Sequence, residues 1–318
     1  MASQAVAVLR ARAAMVAKTR AFFAARGVLE VDTPLLADGV VVEANIDPIP
    51  CRVQLGQAGT VDRHLLTSPE GPMKRLLAAG SGPIYQLAHA FRDGEVGRRH
   101  AVEFTMLEWY RPGLDHHALM DEVEELVQEL LPAAAGAPFN RVSYRELFVD
   151  VARIDPFTAT LPELRAECLA LGVDVPDSFD EGTVDDALDL VLVDYIEPML
   201  GGERPLFVHG YPPSQAALAK VSAPADGEPA TADRFELYFR GVELANGYHE
   251  LVDAEEQRRR FEQANRDRRA AGRAALPLDE ALLDALDAGL PACAGVALGF
   301  DRLLMLALGC DSLDELRP

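Results

Sequence analysis

Cysteine and long apolar runs are scarce in this chain of 318 residues. Its four cysteines, Cys51, Cys168, Cys293 and Cys310, are scattered without a CxxC pair, so they indicate neither a zinc site nor a disulfide framework. We expect four buried or semi-buried thiols. No apolar run reaches the roughly 18 to 20 residues of a membrane span, and the basic N-terminus has no signal-peptide core. These absences predict a cytoplasmic protein with no membrane partner.

Positive charge is also scarce. The chain has 30 Lys and Arg residues against 51 Asp and Glu residues, which gives a formal net charge of −21. A protein that holds a whole tRNA must neutralise several phosphates, and an acidic field opposes that approach. The charge balance therefore argues against tRNA as a partner. The alternative is an acidic surface that only keeps the protein soluble.

The rest of the composition suits a large globular core, because 49% of the residues are hydrophobic and 25% are charged. Apolar residues at helical spacing predict three long helices, at 3–26, 115–131 and 253–271. Polar helical segments with Pro and Gly breaks lie between the last two. We therefore predict a single domain over 1–318, with an insertion at 141–230.

Strand-like segments alternate with these helices. PIYQLAHAFR and EFTMLEWYR, joined by a polar loop, indicate a long antiparallel hairpin. PLFVHGYPP and RFELYFRGVELANGYHEL also have strand character, and a Gly-rich strand leads into the helical segment FDRLLMLALG. The candidate site segments are strands and the flanking segments are helices. This arrangement predicts an α+β fold with an antiparallel β-sheet flanked by helices.

The second hairpin strand carries a distinctive row of side chains. Because side chains alternate along a strand, Phe104, Met106, Glu108 and Tyr110 share one face. An aromatic ring followed by a carboxylate and a phenol suits a purine beside a small amine-bearing substrate. The alternative is an ordinary core face with one surface charge.

Three segments together resemble the signature motifs of the class II aminoacyl-tRNA synthetases. They are RGVLEVDTP at 26–34, FRDGEVGRRHAVEFTMLEWYR at 91–111 and GVALGFDRLLMLALG at 295–309, and EFTMLEWY is most similar to the lysyl branch. The resemblance implies an ATP-dependent, AMP-forming aminoacyl ligase that works as a homodimer. It also implies that a carboxylate is activated as an adenylate.

By this resemblance, two arginines bind ATP. Arg92 would contact the α-phosphate and the amino-acid carbonyl, while Arg302 would lie against one adenine face and reach the γ-phosphate. Phe104 would stack on the other face, and His100 would lie near the phosphates. The same motifs imply further nucleotide contacts at Asp93, Gly94, Ala101, Glu243, Leu244 and Gly299.

The resemblance also implies a site for Mg²⁺ and a basic amino acid. Glu243 and Glu250 flank an Asn-Gly step that could bulge the strand and turn both carboxylates toward one cavity, where they would hold Mg²⁺. Several acids in one pocket suit a dicationic substrate such as lysine or β-lysine. The implied substrate contacts are Ser68, Glu70, Glu108, Tyr110, Asn246, Glu250 and Ala297.

Three features favour one member of this family over a tRNA-charging enzyme. Only about 25 residues precede the first motif, where lysyl-tRNA synthetases carry an anticodon-binding domain; the chain is acidic; and Ala297 replaces a glycine usual in those enzymes. The resemblance is then to lysyl-like paralogues that attach (R)-β-lysine, or lysine, to a lysine of elongation factor P. Alternatives are a lysyl-tRNA synthetase-like enzyme with a tRNA or small-molecule acceptor, a non-catalytic regulatory paralogue and an asparagine synthetase of the same core.

The chain also departs from the family pattern near the nucleotide. Gly94 stands where the family has an acidic residue that binds adenine, with Glu95 as the neighbouring substitute. Ala101 and Val102 replace an Asn and a Pro of the same loop. SPEGPMK replaces SPEYHMK and so loses two side chains near the lysine pocket. We expect activity to be retained because both arginines and both strand carboxylates are present.

Overall fold

The computed structural model describes residues 2–176, 179, 182–224 and 227–317. The α-helices are α1 Ala2–Ala25, α2 Glu70–Ala78, α3 His116–Leu130, α4 Tyr144–Ala152, α5 Leu161–Leu171, α6 Val184–Val191, α7 Ala254–Ala270, α8 Glu280–Gly289 and α9 Phe300–Leu308. The strands are β1 Leu29–Glu30, β2 Leu36–Ala37, β3 Ile49–Gln54, β4 Thr60–Leu65, β5 Ile84–Phe91, β6 Glu103–Pro112, β7 Asn140–Ser143, β8 Leu206–Tyr211, β9 Val221–Ser222, β10 Thr231–Phe239, β11 Val242–His249 and β12 Cys293–Gly299. No helix of the described residues is long and apolar enough to cross a bilayer.

The large sheet has the strand order β1-β5-β6-β12-β11-β10-β8-β7, and β9 pairs with β10. A small sheet, β2-β4-β3, lies beside it. The predicted α+β class is confirmed, but the sheet is mixed and not purely antiparallel. Both of its edges are parallel pairs, β1 with β5 and β7 with β8. A long connection separates the strands of each edge pair, as parallel pairing requires: β2, β3, β4 and α2 lie between β1 and β5, and α4, α5 and α6 lie between β7 and β8.

One face of the central sheet packs on α3. Asp115 caps this helix by accepting a hydrogen bond from the backbone N–H of Ala118 at 2.8 Å, and Leu119, Val123 and Leu126 are fully buried. The predicted helix at 115–131 is therefore confirmed within one residue at each end. Its apolar stripe covers the face of β6 opposite to the row predicted for the site.

The first helix joins the same core through aromatic contacts. Phe23 stacks on Tyr85 with 4.2 Å between ring centroids and meets Trp109 edge-on at 5.4 Å. Gly27 has φ of +65° and ends the helix in the left-handed conformation that glycine accepts without steric cost. The strand that follows, β1, is only two residues long.

Residues from α4 to α6 build a second hydrophobic cluster of their own. Tyr144, Phe148, Leu164 and Leu188 are buried there, and they pack against Val208 of β8. This cluster is contiguous with the sheet edge formed by β7 and β8. The division of the chain into a single domain over 1–318 with an insertion at 141–230 stays a prediction.

Arg268 of α7 holds a loop that lines the site. Its side chain is 2% exposed; Nη1 donates to the carbonyl oxygens of Glu43 at 3.2 Å and Ile46 at 3.1 Å, and Nε donates to the carbonyl of Ala274 at 2.9 Å. It also forms an ion pair with Asp47. Residues 43–47 have no regular secondary structure, and the buried guanidinium of Arg268 holds their backbone in place.

We expect Arg268→Ala to lower the free energy of unfolding by about 3 kcal/mol, since three carbonyl acceptors lose their donor at about 1 kcal/mol each. Urea unfolding followed by circular dichroism measures this change. Arg266→Ala, an exposed residue on the same helix, is the matched control and should change stability by less than about 0.5 kcal/mol. Equal effects of the two substitutions would contradict the tethering role.

Candidate active site

A cavity of 370 Å³ lies on the face of the central sheet opposite to α3, above β6, β12, β11 and β10. It brings together almost all of the side chains predicted from sequence. Those that line it are Ser68, Glu70, Arg92, His100, Ala101, Phe104, Glu108, Tyr110, Glu243, Leu244, Asn246, Glu250, Ala297, Gly299 and Arg302. The predicted residues Asp93 and Gly94 do not line the cavity. Their contact with a nucleotide stays a prediction.

The loop after β5 explains this difference. Gly94 has φ of +75°, and the backbone N–H of Asp93 donates to the carbonyl of Asp47 at 2.7 Å, so this turn is fastened to the loop beneath it. Glu95 does line the cavity, with Oε1 at 3.6 Å from Arg92 Nη1. This turn therefore directs the carboxylate of Glu95, the neighbour of Gly94, into the site.

The floor of the cavity is the strand β12, whose inward side chains are small. Gly295 lies opposite Tyr110 on β6, and Ala297 lies between Glu108 on β6 and Asn246 on β11. A Cβ at position 295 would lie 2.3 Å from Glu250 Oε1 and 2.3 Å from a ring carbon of Tyr110. Glycine is therefore required there for the polar side chains to approach each other.

A β-bulge determines which side chains of β11 face the cavity. Leu237 of β10 pairs with Ala245, but the next residue, Tyr238, pairs with Glu243, so Leu244 is the extra residue. The bulge shifts Glu243 onto the same face as Asn246, and both line the cavity. The bulge expected at the Asn-Gly step is thus found two residues earlier.

Two arginines dominate one end of the cavity. Arg302 donates from Nη1 to the Glu243 carbonyl at 2.8 Å and carboxylate at 3.2 Å, and its Nη2 lies 2.8 Å from His100 Nε2. The Arg92 guanidinium lies 5.1 Å from the centroid of the Phe104 ring. Arg92 Nε is buried and has no hydrogen-bond partner. This end offers an aromatic face, two guanidinium groups and an unpartnered Arg92 N–H, which suit a purine and its phosphates.

The start of α9 is anchored so that Arg302 points inward. Asp301 pairs with Arg12 Nη1 at 2.6 Å, and its other carboxylate oxygen accepts the backbone N–H of Thr105 at 2.7 Å. These contacts join α1, β6 and α9. Burial, reinforced by the charge of Arg302, lowers the pKa of His100, so this ring is neutral near pH 7.

The other end of the cavity is acidic and encloses a single lysine. Lys74 Nζ lies 2.6 Å from Glu250 Oε2 and also contacts Glu70. Glu108 accepts hydrogen bonds from Ser68 Oγ at 2.7 Å and from the Tyr110 hydroxyl at 2.6 Å. Two carboxylates thus contact the ammonium group, and Glu108 lies at the same end of the cavity. The excess of negative charge suits a cationic ligand.

Burial changes the ionisation of these acids. It raises the pKa of Glu108 to about 8, with a further contribution from the charge of Glu70. Burial also raises the pKa of Glu250 to about 7, although the Lys74 charge opposes this shift. In Lys74 the carboxylates of Glu250 and Glu70 outweigh the desolvation, and its pKa is raised. Glu108 would therefore keep its proton near pH 7, and a cation bound beside it would favour loss of this proton.

Sequence reasoning missed several charged residues that line the cavity, Glu43, Arg99, Arg234, Glu236 and Asp301, as well as Lys74, which contacts two of its acids. Arg234 and Glu236 pair with each other on β10. Glu236 also accepts hydrogen bonds from the hydroxyl of Tyr211 at 2.7 Å and from Asn246 Nδ2 at 3.2 Å. The available signal was their alternation with large apolar residues in RFELYF, which places two charges on one face of a buried strand.

Comparison with known proteins gives a consistent result. A family model described as tRNA synthetases class II (D, K and N) matches residues 1–318. A protein of Erwinia tasmaniensis named "Elongation factor P--(R)-beta-lysine ligase" is 49% identical over 314 residues, covering 98% of this chain and 94% of that protein. Proteins of the same name from Salmonella gallinarum and Vibrio vulnificus are each 47% identical. The match to the Salmonella gallinarum protein covers 96% of this chain and 92% of that protein. The match to the Vibrio vulnificus protein covers 97% of this chain and 94% of that protein.

The protonated acids predict how stability depends on pH. Between the ordinary pKa of 4.5 and about 8, the folded protein keeps a proton on Glu108 that the unfolded chain loses. The free energy of unfolding of the ligand-free protein should therefore fall as pH rises through this window, by up to about 1.4 kcal/mol per pH unit for each such proton.

Glu108→Gln, which keeps the shape of the neutral acid, should flatten this slope in urea titrations at pH 5 to 8. Glu103→Gln, on the same strand but exposed, should leave the slope as in the wild type. A wild-type slope in Glu108→Gln would mean that Glu108 is ionised in the folded protein.

Proposed function

We propose, from the premise that this chain belongs to the class II tRNA synthetases (D, K and N), that it is an ATP-dependent ligase acting on elongation factor P. It would activate (R)-β-lysine or lysine as an adenylate and transfer the acyl group to a lysine ε-amine of that factor. The single observation that carries the proposal is the cavity itself, with two arginines at one end and three carboxylates at the other. The printed names of the relatives supply the acceptor.

ATP fits the arginine end. The Phe104 ring offers a stacking face, and the buried, unpartnered Arg92 Nε offers a donor for a phosphate oxygen. Arg302 lies at the same end of the cavity, where it contacts Glu243 and His100. A Cβ at position 299 would lie 3.3 Å from Arg302 Cδ, so glycine leaves room for this arginine side chain.

Activation would proceed at the junction of the two ends. The substrate carboxylate attacks the α-phosphorus of ATP, the P–O bond to pyrophosphate breaks, and Arg92 neutralises the charge that develops on the phosphate oxygens. The neutral ε-amine of the acceptor lysine then attacks the activated carbonyl; an amide forms and AMP leaves. The proton that the amine loses would pass to the adenylate phosphate.

Recognition of the amino acid would use the acidic end. A dicationic substrate would place an ammonium group near Glu108, whose raised pKa leaves it neutral when the pocket is empty. The approaching charge favours ionisation of Glu108 and strengthens the contact. Ala297 extends its methyl from the floor between Glu108 and Asn246 and so shapes the space beside them.

Glu243 is the carboxylate that best fits a catalytic Mg²⁺. Burial raises its pKa, as does the charge of Glu236, although Arg302 at 3.2 Å opposes the shift; a metal ion would favour the ionised carboxylate in the same way. When bound, Mg²⁺ would supply charge neutralisation between phosphate oxygens. Glu250 has Lys74 as its cationic partner, and its predicted role as a second metal ligand stays a prediction.

A homodimer forms part of this proposal. The helix α1 and the segment at 26–34 that resembles the first motif expose large apolar side chains, with Leu9 52% and Leu29 55% exposed. Apolar residues at this exposure suit a protein interface more than a solvated surface.

The decisive experiment is intact-mass spectrometry of elongation factor P after incubation with the protein, Mg·ATP and either (R)-β-lysine or lysine. We expect a gain of one lysyl unit on the factor and no charging of lysine tRNA in a parallel assay. Charging of tRNA in place of the factor would favour the stand-alone synthetase. Modification of neither acceptor, with no ATP–pyrophosphate exchange, would favour the regulatory paralogue.

Arg302→Ala should reduce ATP–pyrophosphate exchange by a factor of about 10² to 10³, since one charged donor to the transition state is lost. Arg302→Lys should recover part of this loss because it keeps the charge but not the planar fork. Arg98→Ala is the matched control: Arg98 is exposed in the neighbouring loop, does not line the cavity, and should leave exchange unchanged. Full activity in a folded Arg302→Ala protein would refute this assignment.

A further inference from the structure

Four of the seven histidines of the chain gather behind the sheet, away from the cavity. His116 and His117 begin α3, His209 lies on β8 and His249 ends β11. The rings of His116 and His117 lie 4.0 Å apart between centroids, and those of His117 and His209 lie 5.5 Å apart. Asp233 of β10 lies among them. None of these residues lines the cavity.

Three members of this cluster have the geometry of a metal site. A ring nitrogen of His116, a ring nitrogen of His249 and a carboxylate oxygen of Asp233 all lie within 4.8 Å of one another. His249 Nδ1 lies 3.5 Å from Asp233 Oδ2. Ligand atoms around a tetrahedral Zn²⁺, with bonds of about 2.0 Å, are separated by about 3.3 Å. Small side-chain rotations would therefore bring the three atoms to bonding distance.

His116 has an unsatisfied nitrogen in this cluster. The residue is 9% exposed, and its Nδ1 is buried without a hydrogen-bond partner. A buried polar atom left without a partner costs about 1 to 3 kcal/mol, and such atoms are uncommon in folded proteins. A metal ion bound by the cluster would supply the missing interaction.

We propose that His116, Asp233 and His249 bind a divalent transition metal, with Zn²⁺ as the favoured ion, at a site distinct from the ATP cavity. Imidazole and carboxylate ligands in a small tetrahedral set suit Zn²⁺ better than Mg²⁺ or Ca²⁺. The side chain of His249 is 20% exposed, which gives the ion an entry path and leaves room for water as a fourth ligand.

The site would brace the sheet from behind. It joins the first turn of α3 to β10 and β11, and these two strands present Arg234, Glu236, Glu243 and Asn246 to the cavity on their other face. Because Asp233 and Arg234 are adjacent, a ligand held on one face fixes the backbone that positions a side chain on the other.

Metal binding can be measured on the chelator-treated full-length protein with Co²⁺ as a spectroscopic probe and Zn²⁺ as a competitor. We expect about one equivalent of Co²⁺ to produce visible d–d bands, and Zn²⁺ to abolish them. Zn²⁺ should also raise the melting temperature. His116→Ala, His249→Ala and Asp233→Asn should each weaken Zn²⁺ binding at least about tenfold.

Two control variants separate this site from other acidic or histidine ligands. His89→Ala removes an exposed histidine outside the cluster, and Glu243→Gln alters the cavity; both should bind Zn²⁺ as the wild type does. Asp233→Asn keeps the side-chain shape, so its circular dichroism spectrum shows whether folding is intact. Absence of Co²⁺ bands in the wild type would overturn the proposal, as would equal Zn²⁺ affinity in all folded variants. Either result would leave a metal-free histidine–aspartate cluster.

Discussion

The site depends on the alternation of side chains across the four central strands. Each strand must bury an apolar row against α3 while it presents a polar row to the cavity, and a shift of one residue would exchange the two rows. On β6 the division is regular, with Leu107 and Trp109 in the core and Glu108 in the cavity. On β11 it is achieved only through the bulge at Leu244. The chemistry of the cavity is thus a consequence of strand register.

Charge compensation is the second requirement, because so many ionisable groups are taken out of water. Lys74 pairs with Glu250, and Arg234 pairs with Glu236. Neither pair is a strong source of stability, since desolvation offsets most of the attraction between buried charges. Their value lies in fixing the positions of carboxylates that would otherwise repel each other. The acids left without a full cationic partner, such as Glu108, keep protons until a ligand arrives.

The sequence was sufficient wherever a local pattern determines the structure. Periodicity located α3 and α7 within one residue at each end, and alternation identified the cavity face of β6. Prediction from sequence failed where the structure depends on contacts between segments that are distant along the chain. The bulge at Leu244 depends on how β11 pairs with β10, and the support of residues 43–47 depends on Arg268, more than 200 residues further along the chain. The parallel edge pairs were missed for the same reason.

The altered loop after β5 shows how far a departure from a family pattern can be absorbed. Ala101 and Val102 cannot provide the side-chain contacts of the Asn and Pro they replace, but the loop is held by other means. Arg302 donates to the Arg99 carbonyl at 3.1 Å and contacts His100. The arginine expected to bind the nucleotide therefore also organises the loop that covers it. Any ligand that draws Arg302 toward its phosphates would act on this loop at the same time.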